Sequence, residues 1–309
     1  MLRRYAFAFV AVCLAFAAGI ALGNGPLQKS AKVHDDVSLA NANSRLVDRL
    51  GALRQEQAFS QAVGASAGGT LLAGALKNTS VALFVLPGVT PATVTGMRAE
   101  VTAAGGEIVI DAKLSATLVD PGRKTYVDSV ATNSLRGLKD LHESAALPTY
   151  RRVGALLARA YTGSRDRLVV DDEATRIDAQ LQGAKLVSLS GPLDRRASAV
   201  IVLASGVHGG SDAVYAVHQI ESQVIDALAT DCDGLLLGAP VLASQPGGLL
   251  DTVVNTTGMT NAISTINTVN TPSGQVAAIG ALGAVIDGQP GNFGMDGPVA
   301  VLPPPLAAD

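Results

Sequence analysis

A chain of 309 residues that is 48% hydrophobic and only 16% charged can bury a sizeable core, and disorder cannot describe its bulk. Its net charge of −3 comes without a basic block, which argues against nucleic acid as a partner. The lack of tryptophan and an aromatic content of 4% argue against stacking platforms for bases or sugars.

Arg3 and Arg4 precede an uncharged run from Tyr5 to Leu27. Its strictly apolar part, Tyr5 to Gly23, only just spans a hydrocarbon core of about 30 Å at about 1.5 Å per residue. Two readings compete over residues 1–27. A cleaved signal peptide would use Ala15-Phe16-Ala17 or Gly19-Ile20-Ala21 as its small-residue site. An uncleaved membrane anchor is favoured, because the run exceeds an h-region of about 7–15 residues. The leading positive charges keep the N-terminus cytoplasmic, so the body is expected outside the cytoplasm in either case. Gly19 and Gly23 form a small-xxx-small pair that would let two anchors approach, although glycine is common in such helices anyway. Of the two cysteines, Cys13 lies inside the apolar run and Cys232 reads as a half-buried free thiol, so no disulfide framework is expected.

Residues 28–65 read as a helical stalk. Leu39, Leu46 and Leu53 recur every seven residues, with Leu50 four after Leu46 and charged residues between them. The run covers barely three heptads and carries Asn43 at a seam position, so a short dimerising coiled coil and a helix packed on its own domain both stay open. Gly64-Ala65-Ser66-Ala67-Gly68 fits the G-x-S-x-G nucleophile pattern, which requires a strand turning sharply into a helix. Here a polar helix precedes it, and residues 66–79 read as a linker.

From Ser80 to Asp287 the pattern is α/β. Ser80–Leu86 is a continuous apolar run stopped by Pro87-Gly88; a helical stretch from Pro91 to Ala104 ends at Gly105-Gly106, and a second strand runs from Glu107 to Ala112. Helices are expected at Tyr126–His142, Tyr150–Ala160, Asp171–Gln182 and Ser211–Ala229. Strands are expected at Lys185–Leu189, Ala199–Ala204 and Gly234–Leu237. The alternation predicts one doubly wound, mostly parallel sheet with helices on both faces. Gly288 to Asp309, rich in glycine and proline, is expected to be a loose tail.

The best candidate for a ligand site is the turn after the Ala199–Ala204 strand: Gly206, His208, Gly209, Gly210, Ser211 and Asp212. In an open α/β sheet, ligands bind at the carboxyl ends of strands, and the free N–H groups of the next helix favour an anion. The same residues also serve any tight strand-to-helix turn, with Ser211 as cap and Asp212 complementing the helix dipole. For metals, His34, His142, His208 and His218 show no H-x-x-x-H spacing, and there is no C-x-x-C or methionine cluster. His208 and His218 could meet near Asp212, but a satisfied surface histidine is the default for each. No residue is assigned a catalytic role, and no cofactor is expected.

The order of these features resembles the mycobacterial copper transport protein B (MctB) family of actinobacterial envelope proteins. The resemblance runs from the anchor ending Ala18-Gly19-Ile20-Ala21-Leu22-Gly23 and the heptad helix to Ser80-Val81-Ala82-Leu83-Phe84, Ala104-Gly105-Gly106, Leu118-Val119-Asp120-Pro121 and Gly234-Leu235-Leu236-Leu237-Gly238. It ends with Ile263-Ser264-Thr265-Ile266, the Gly274-Gln275 helix start and Gly291-Asn292-Phe293-Gly294. One departure stands out: acidic residues usually follow the serine-threonine stretch, whereas Asn267, Thr268 and Asn270 stand here. The resemblance implies a role in keeping intracellular copper low at the cell envelope, with a channel as one form that role could take. A barrel, however, needs many alternating segments of about 10 residues, and this chain has continuous apolar strands and a single spanning segment. The expectation is a non-enzymatic, membrane-anchored, homo-oligomeric envelope protein with the membrane and copper ions as partners. Its rivals are an extracytoplasmic scaffold, and an α/β sensor or enzyme using the Gly206–Asp212 turn.

Overall fold

The computed structural model of the chain describes residues 47, 51, 64, 72–138, 141, 143–164, 167–256, 263–295 and 303. The chain divides into two compact units, residues 1–60 and 61–309. In the first, residues 47 and 51 are described, and both are helical. The apolar N-terminal run and nearly all of the heptad helix lie outside the described residues. Among the described residues, no helix is long and apolar enough to cross a membrane.

The second unit opens with β1 (Ser80–Val85), α1 (Pro91–Ala103) and β2 (Glu107–Leu114). Then follow α2 (Ala116–Val119), α3 (Lys124–Leu135), α4 (Thr149–Tyr161), α5 (Asp172–Gly183) and β3 (Val187–Leu189). The third stretch is β4 (Ala199–Leu203), α6 (Asp212–Leu228), β5 (Gly234–Gly238), α7 (Leu249–Val254), β6 (Ile263–Ile266), α8 (Pro272–Ile286) and β7 (Asn292–Phe293). The sheet has seven strands in the order β3-β2-β1-β4-β5-β6-β7. All neighbours run parallel except the edge pair β2–β3. This is the mixed α/β, mostly parallel sheet that the strand–helix alternation predicts.

Every residue of β1, β4, β5 and β6 is buried, which is why β1, β4 and β5 read as near-continuous apolar runs. Their side chains alternate between two cores. Ala82, Phe84, Val200, Val202, Leu235 and Leu237 meet the helices α2 to α7, while Val81, Leu83, Val85, Ile201, Leu203 and Leu236 meet α1 and α8. Gly154 sets the closest approach of α4 to α6, since a Cβ there would collide with the Val224 carbonyl and the Ala227 methyl.

Several boundaries differ from expectation for local reasons. The helix expected to reach His142 stops at Leu135, because Gly137 takes φ +83°; His142 itself is outside the described residues. The strand expected from Lys185 begins at Val187, since Lys185 takes φ +54° where α5 ends. β2 runs on to Leu114 because β3 pairs with Ala112, Lys113 and Leu114. The tail from Gly288 is not wholly loose: Asn292–Phe293 adds β7 to β6, and Phe293 is buried.

An ion-pair network closes the amino-terminal side. Arg159, in the last turn of α4, donates to both carboxylate oxygens of Asp171 at 3.1 and 2.8 Å and to Glu173 at 2.9 Å. Arg196, just before β4, donates to the Val169 carbonyl at 2.9 Å and to the Arg159 carbonyl at 3.4 Å. Asp171 also caps α5 by accepting from the Ala174 N–H at 2.8 Å. The Arg159 hydrogen bonds hold the Asp171 carboxyl below its usual range, with the Ala174 bond adding to them and partial burial opposing. A depressed carboxylate contributes stability that is present above its unfolded value and is lost as pH falls through the folded one. Asp171→Asn keeps the cap and removes the charge. It should lower stability by about 1 kcal/mol near neutral pH, the upper range for a pair half open to water. It should also flatten the loss of stability below about pH 4; thermal melts of both proteins from pH 3 to 7 measure this.

Candidate site at the switch point of the sheet

β1 leads outward to β2, while β4 returns to pair with β1 on its other side, so the strand order reverses between β1 and β4. At such a reversal the two carboxyl-end loops part to opposite faces and leave a crevice. Here they touch: Gly88, at φ +85°, sits so close to Ser205 that a Cβ would lie 3.2 Å from that serine's Cβ.

All six residues of the expected turn lie between the end of β4 and the first turn of α6, on the β4 side. Gly206 lies against Pro240 and Leu242, leaving a side chain little room. Gly209 takes φ +132°, a conformation that glycine adopts without strain. The Ser211 hydroxyl accepts from the Val214 N–H at 3.3 Å to cap α6, and Asp212 stands in its first turn. His208 is exposed and folds back on its own turn, with Nδ1 3.4 Å from the Gly206 carbonyl.

His218 does not join His208 and Asp212, and it is not a surface residue. It is buried on α6, where Nε2–H donates to the Val207 carbonyl at 3.2 Å and Nδ1 lies 2.9 Å from the Glu221 carboxylate. The side chain therefore ties the turn to α6 from beneath. The i, i+3 spacing of His218 and Glu221 was the only trace of this in the sequence.

On the β1 side of the crevice lies a cleft of 310 Å³, lined by Pro87, Gly88, Thr95, Arg98 and Lys113 together with apolar side chains such as Leu86 and Val94. Arg98, on α1, pairs with Asp111 of β2. No sequence motif marked this cleft, because its cations come from separate elements.

Past β6, Asn267 is buried and bonded on both ends of its carboxamide. Its oxygen accepts from the Met295 N–H at 2.8 Å, and its nitrogen donates to the Ser244 hydroxyl at 3.0 Å and to the Met295 carbonyl. Gly294 leaves the space that this carboxamide fills. On α8, Gly274 leaves room for the Thr268 carbonyl, and Gln275 donates to the Val269 carbonyl at 3.0 Å. Cys232 donates weakly to the Ala229 carbonyl at 3.8 Å, and burial pushes its thiol up to about 12, so it stays protonated at neutral pH. Among the described residues, no three His, Cys, Asp or Glu side chains converge as a metal site would need.

A family model described as "Copper transport outer membrane protein, MctB" matches residues 1–304. The chain belongs to the MctB family. No individually curated protein matches it. The family resemblances now acquire structural roles. Ser80–Phe84 lies in β1, Gly234–Gly238 is β5, Ile263–Ile266 is β6, and Gly105-Gly106 closes the turn into β2. Asp120 accepts from the Gly122 N–H at 2.8 Å to start the turn into α3. Asn292 of the closing signature accepts from the Thr265 hydroxyl at 2.7 Å. Asn267, just past the serine-threonine stretch, is a two-ended clamp. Asn267→Asp removes both donated bonds and sets a carboxylate against the Met295 carbonyl, so it should destabilise the body by about 1–3 kcal/mol, the cost of unsatisfied buried polar groups. Thermal or denaturant unfolding of the variant beside wild type measures this, and an unchanged midpoint would contradict the clamp.

Proposed function

We propose that this MctB-family envelope protein of copper transport and homeostasis works as a membrane-anchored, non-enzymatic body outside the cytoplasm that self-associates. The observation that carries the copper reading is the family match over residues 1–304. Support for the anchor comes from Arg3 and Arg4 ahead of the apolar run Tyr5 to Gly23. The described sheet argues that the body itself does not conduct: both of its faces are covered by helices, and it ends in the edges β3 and β7 without closing into a barrel. Copper handling is therefore assigned to the anchored assembly.

A second reading, a small-ligand sensor, is favoured by one observation. The turn of Gly206, His208, Gly209, Gly210, Ser211 and Asp212 lies where the strand order reverses, the usual ligand position of an open α/β sheet. Intracellular copper separates the two readings. Under mild copper stress, a strain lacking the protein should hold more copper than wild type, and complementation should lower it again. A complementing chain without residues 1–27 should leave the membrane fraction and fail to restore copper. Unchanged copper and tolerance on deletion would sink the copper reading and leave the sensor.

A further inference from the structure

We propose that the 310 Å³ cleft between α1 and the carboxyl ends of β1 and β2 binds a small organic anion, with Lys113 and Arg98 holding its charged group and the apolar wall its short body. The inference rests on the second reading, ligand binding at the switch point, and is independent of the copper role.

The cleft has the size and the mixed lining of a small-ligand site, at the lower end of the usual range of about 300–1,000 Å³. Leu86, Val94 and Leu114 give it an apolar wall, and Lys113 and Arg98 supply its cations. Lys113 stands two residues beyond Asp111 on β2, so both point to the α1 face of the sheet. Asp111 is paired with Arg98 but lines a different cleft, along the edge of β2. Arg98 lines that second cleft as well, so the carboxylate fixes the guanidinium at the boundary of the two, and a guanidinium has five donors to offer. The buried Arg98 Nε has no hydrogen-bond partner in the protein, which is unusual for a buried donor. With Asp111 neutralising one cation, Lys113 leaves the site one positive charge in excess.

The rest of the chain sharpens the assignment. From Ala197 to Asp309 the sequence contains no lysine or arginine. β4 to β7 and their loops thus bring no cationic side chain to the carboxyl edge apart from histidine. Between the loops after β1 and β4, the lysine and arginine counter-charge for an anion at the switch point comes from the β1–β2 side, where the cleft lies. The chemistry that fits is a carboxylate or a phosphate on a short apolar body.

Full-length protein in detergent is titrated, at constant ionic strength, with acetate, butyrate, hexanoate and inorganic phosphate, using butylamine and butanol as controls. The readouts are thermal shift and calorimetry. Butyrate and hexanoate are expected to stabilise the protein more than acetate does, and butylamine not at all. Lys113→Gln, at an exposed position that leaves the fold intact, should weaken binding at least tenfold, as should Arg98→Gln. Thr95→Trp should block binding by filling the cleft. Binding of phosphate in preference to the carboxylates, with the same dependence on Lys113, supports the anion site and names a phosphate as its group. Equal shifts with butylamine, or unchanged affinity in Lys113→Gln, overturn the proposal. Binding lost in His208→Ala but kept in Lys113→Gln also overturns it, while upholding ligand binding at the turn. The copper phenotype of the deletion strain bears on none of these outcomes.

Discussion

The pairing of β1 with β4 is the constraint from which the rest of the body follows. Val81 to Val85 lie beside Ala199 to Leu203 in parallel register, and both strands are buried along their whole length. Parallel neighbours cannot be joined by a tight hairpin, so the chain must leave β1, build β2, and return by a long excursion before β4 can form. That excursion is α2 to α5 and the edge strand β3. It ends in the Arg159–Asp171–Arg196 network, which ties α4 and α5 to the approach of β4. Burial on both faces then requires a helical layer on each side, met by α2 to α7 on one and by α1 and α8 on the other. The crevice at the carboxyl ends is a by-product of the same pairing, because adjacent strands here feed helices on opposite faces.

The parts of this architecture that the sequence reveals are those where one local signal suffices. β1, β4 and β5 are apolar runs bounded by glycine, proline or acidic residues, and α1 and α6 carry Thr-Pro and Ser-Asp starts, so both type and limits could be read. Of α8, only the start was marked, by the family resemblance at Gly274-Gln275, and its extent escaped. Its sequence PSGQVAAIGALGAVI has no polar face, because it is buried almost throughout, and periodicity has nothing to report when every face is buried. β6 is half hydroxyl residues, and β7 is two residues long; each is a strand only because a neighbour pairs with it. In the site, the β4 turn was legible from its glycines and its serine cap. The partners that define its surroundings were not, since Gly88 meets Ser205, and Arg98 and Lys113 come to line one cleft, only after the chain has crossed over.

The donor chemistry bears on how a copper-transport family can use such a body. Copper(I) favours thiolate and thioether ligands. Cys232 is held as a thiol by its burial, and Met97 is fully buried between the sheet and α1. His218 has both ring nitrogens committed, to the Val207 carbonyl and to Glu221. Each of these donors is already engaged in holding the fold, and recruiting it would break an interaction that the body needs. Among the described residues, His208 and Met295 are the exposed donors of the right kind, and they lie on loops after different strands. The body is thus built as a stable fold first. Among the described residues, the thiol, thioether and imidazole donors thus either serve the fold or stand apart on separate loops.

The same separation shows in the charge pattern. The formal charge of −3 conceals a division, since all 23 lysines and arginines fall within the first 196 residues. Along the carboxyl edge this becomes a gradient, with Lys113 in excess on the β1–β2 side, where Asp111 balances Arg98, and Asp212 at the start of α6 on the other. The two sides meet at the contact of Gly88 with Ser205. For the anion proposed above, a field of that shape would also turn the molecule so that its charged end leads toward β2. Orientation of this kind needs no catalytic group. It follows from keeping cations out of β4 to β7 altogether, so the gradient is written in what the last third of the sequence leaves out.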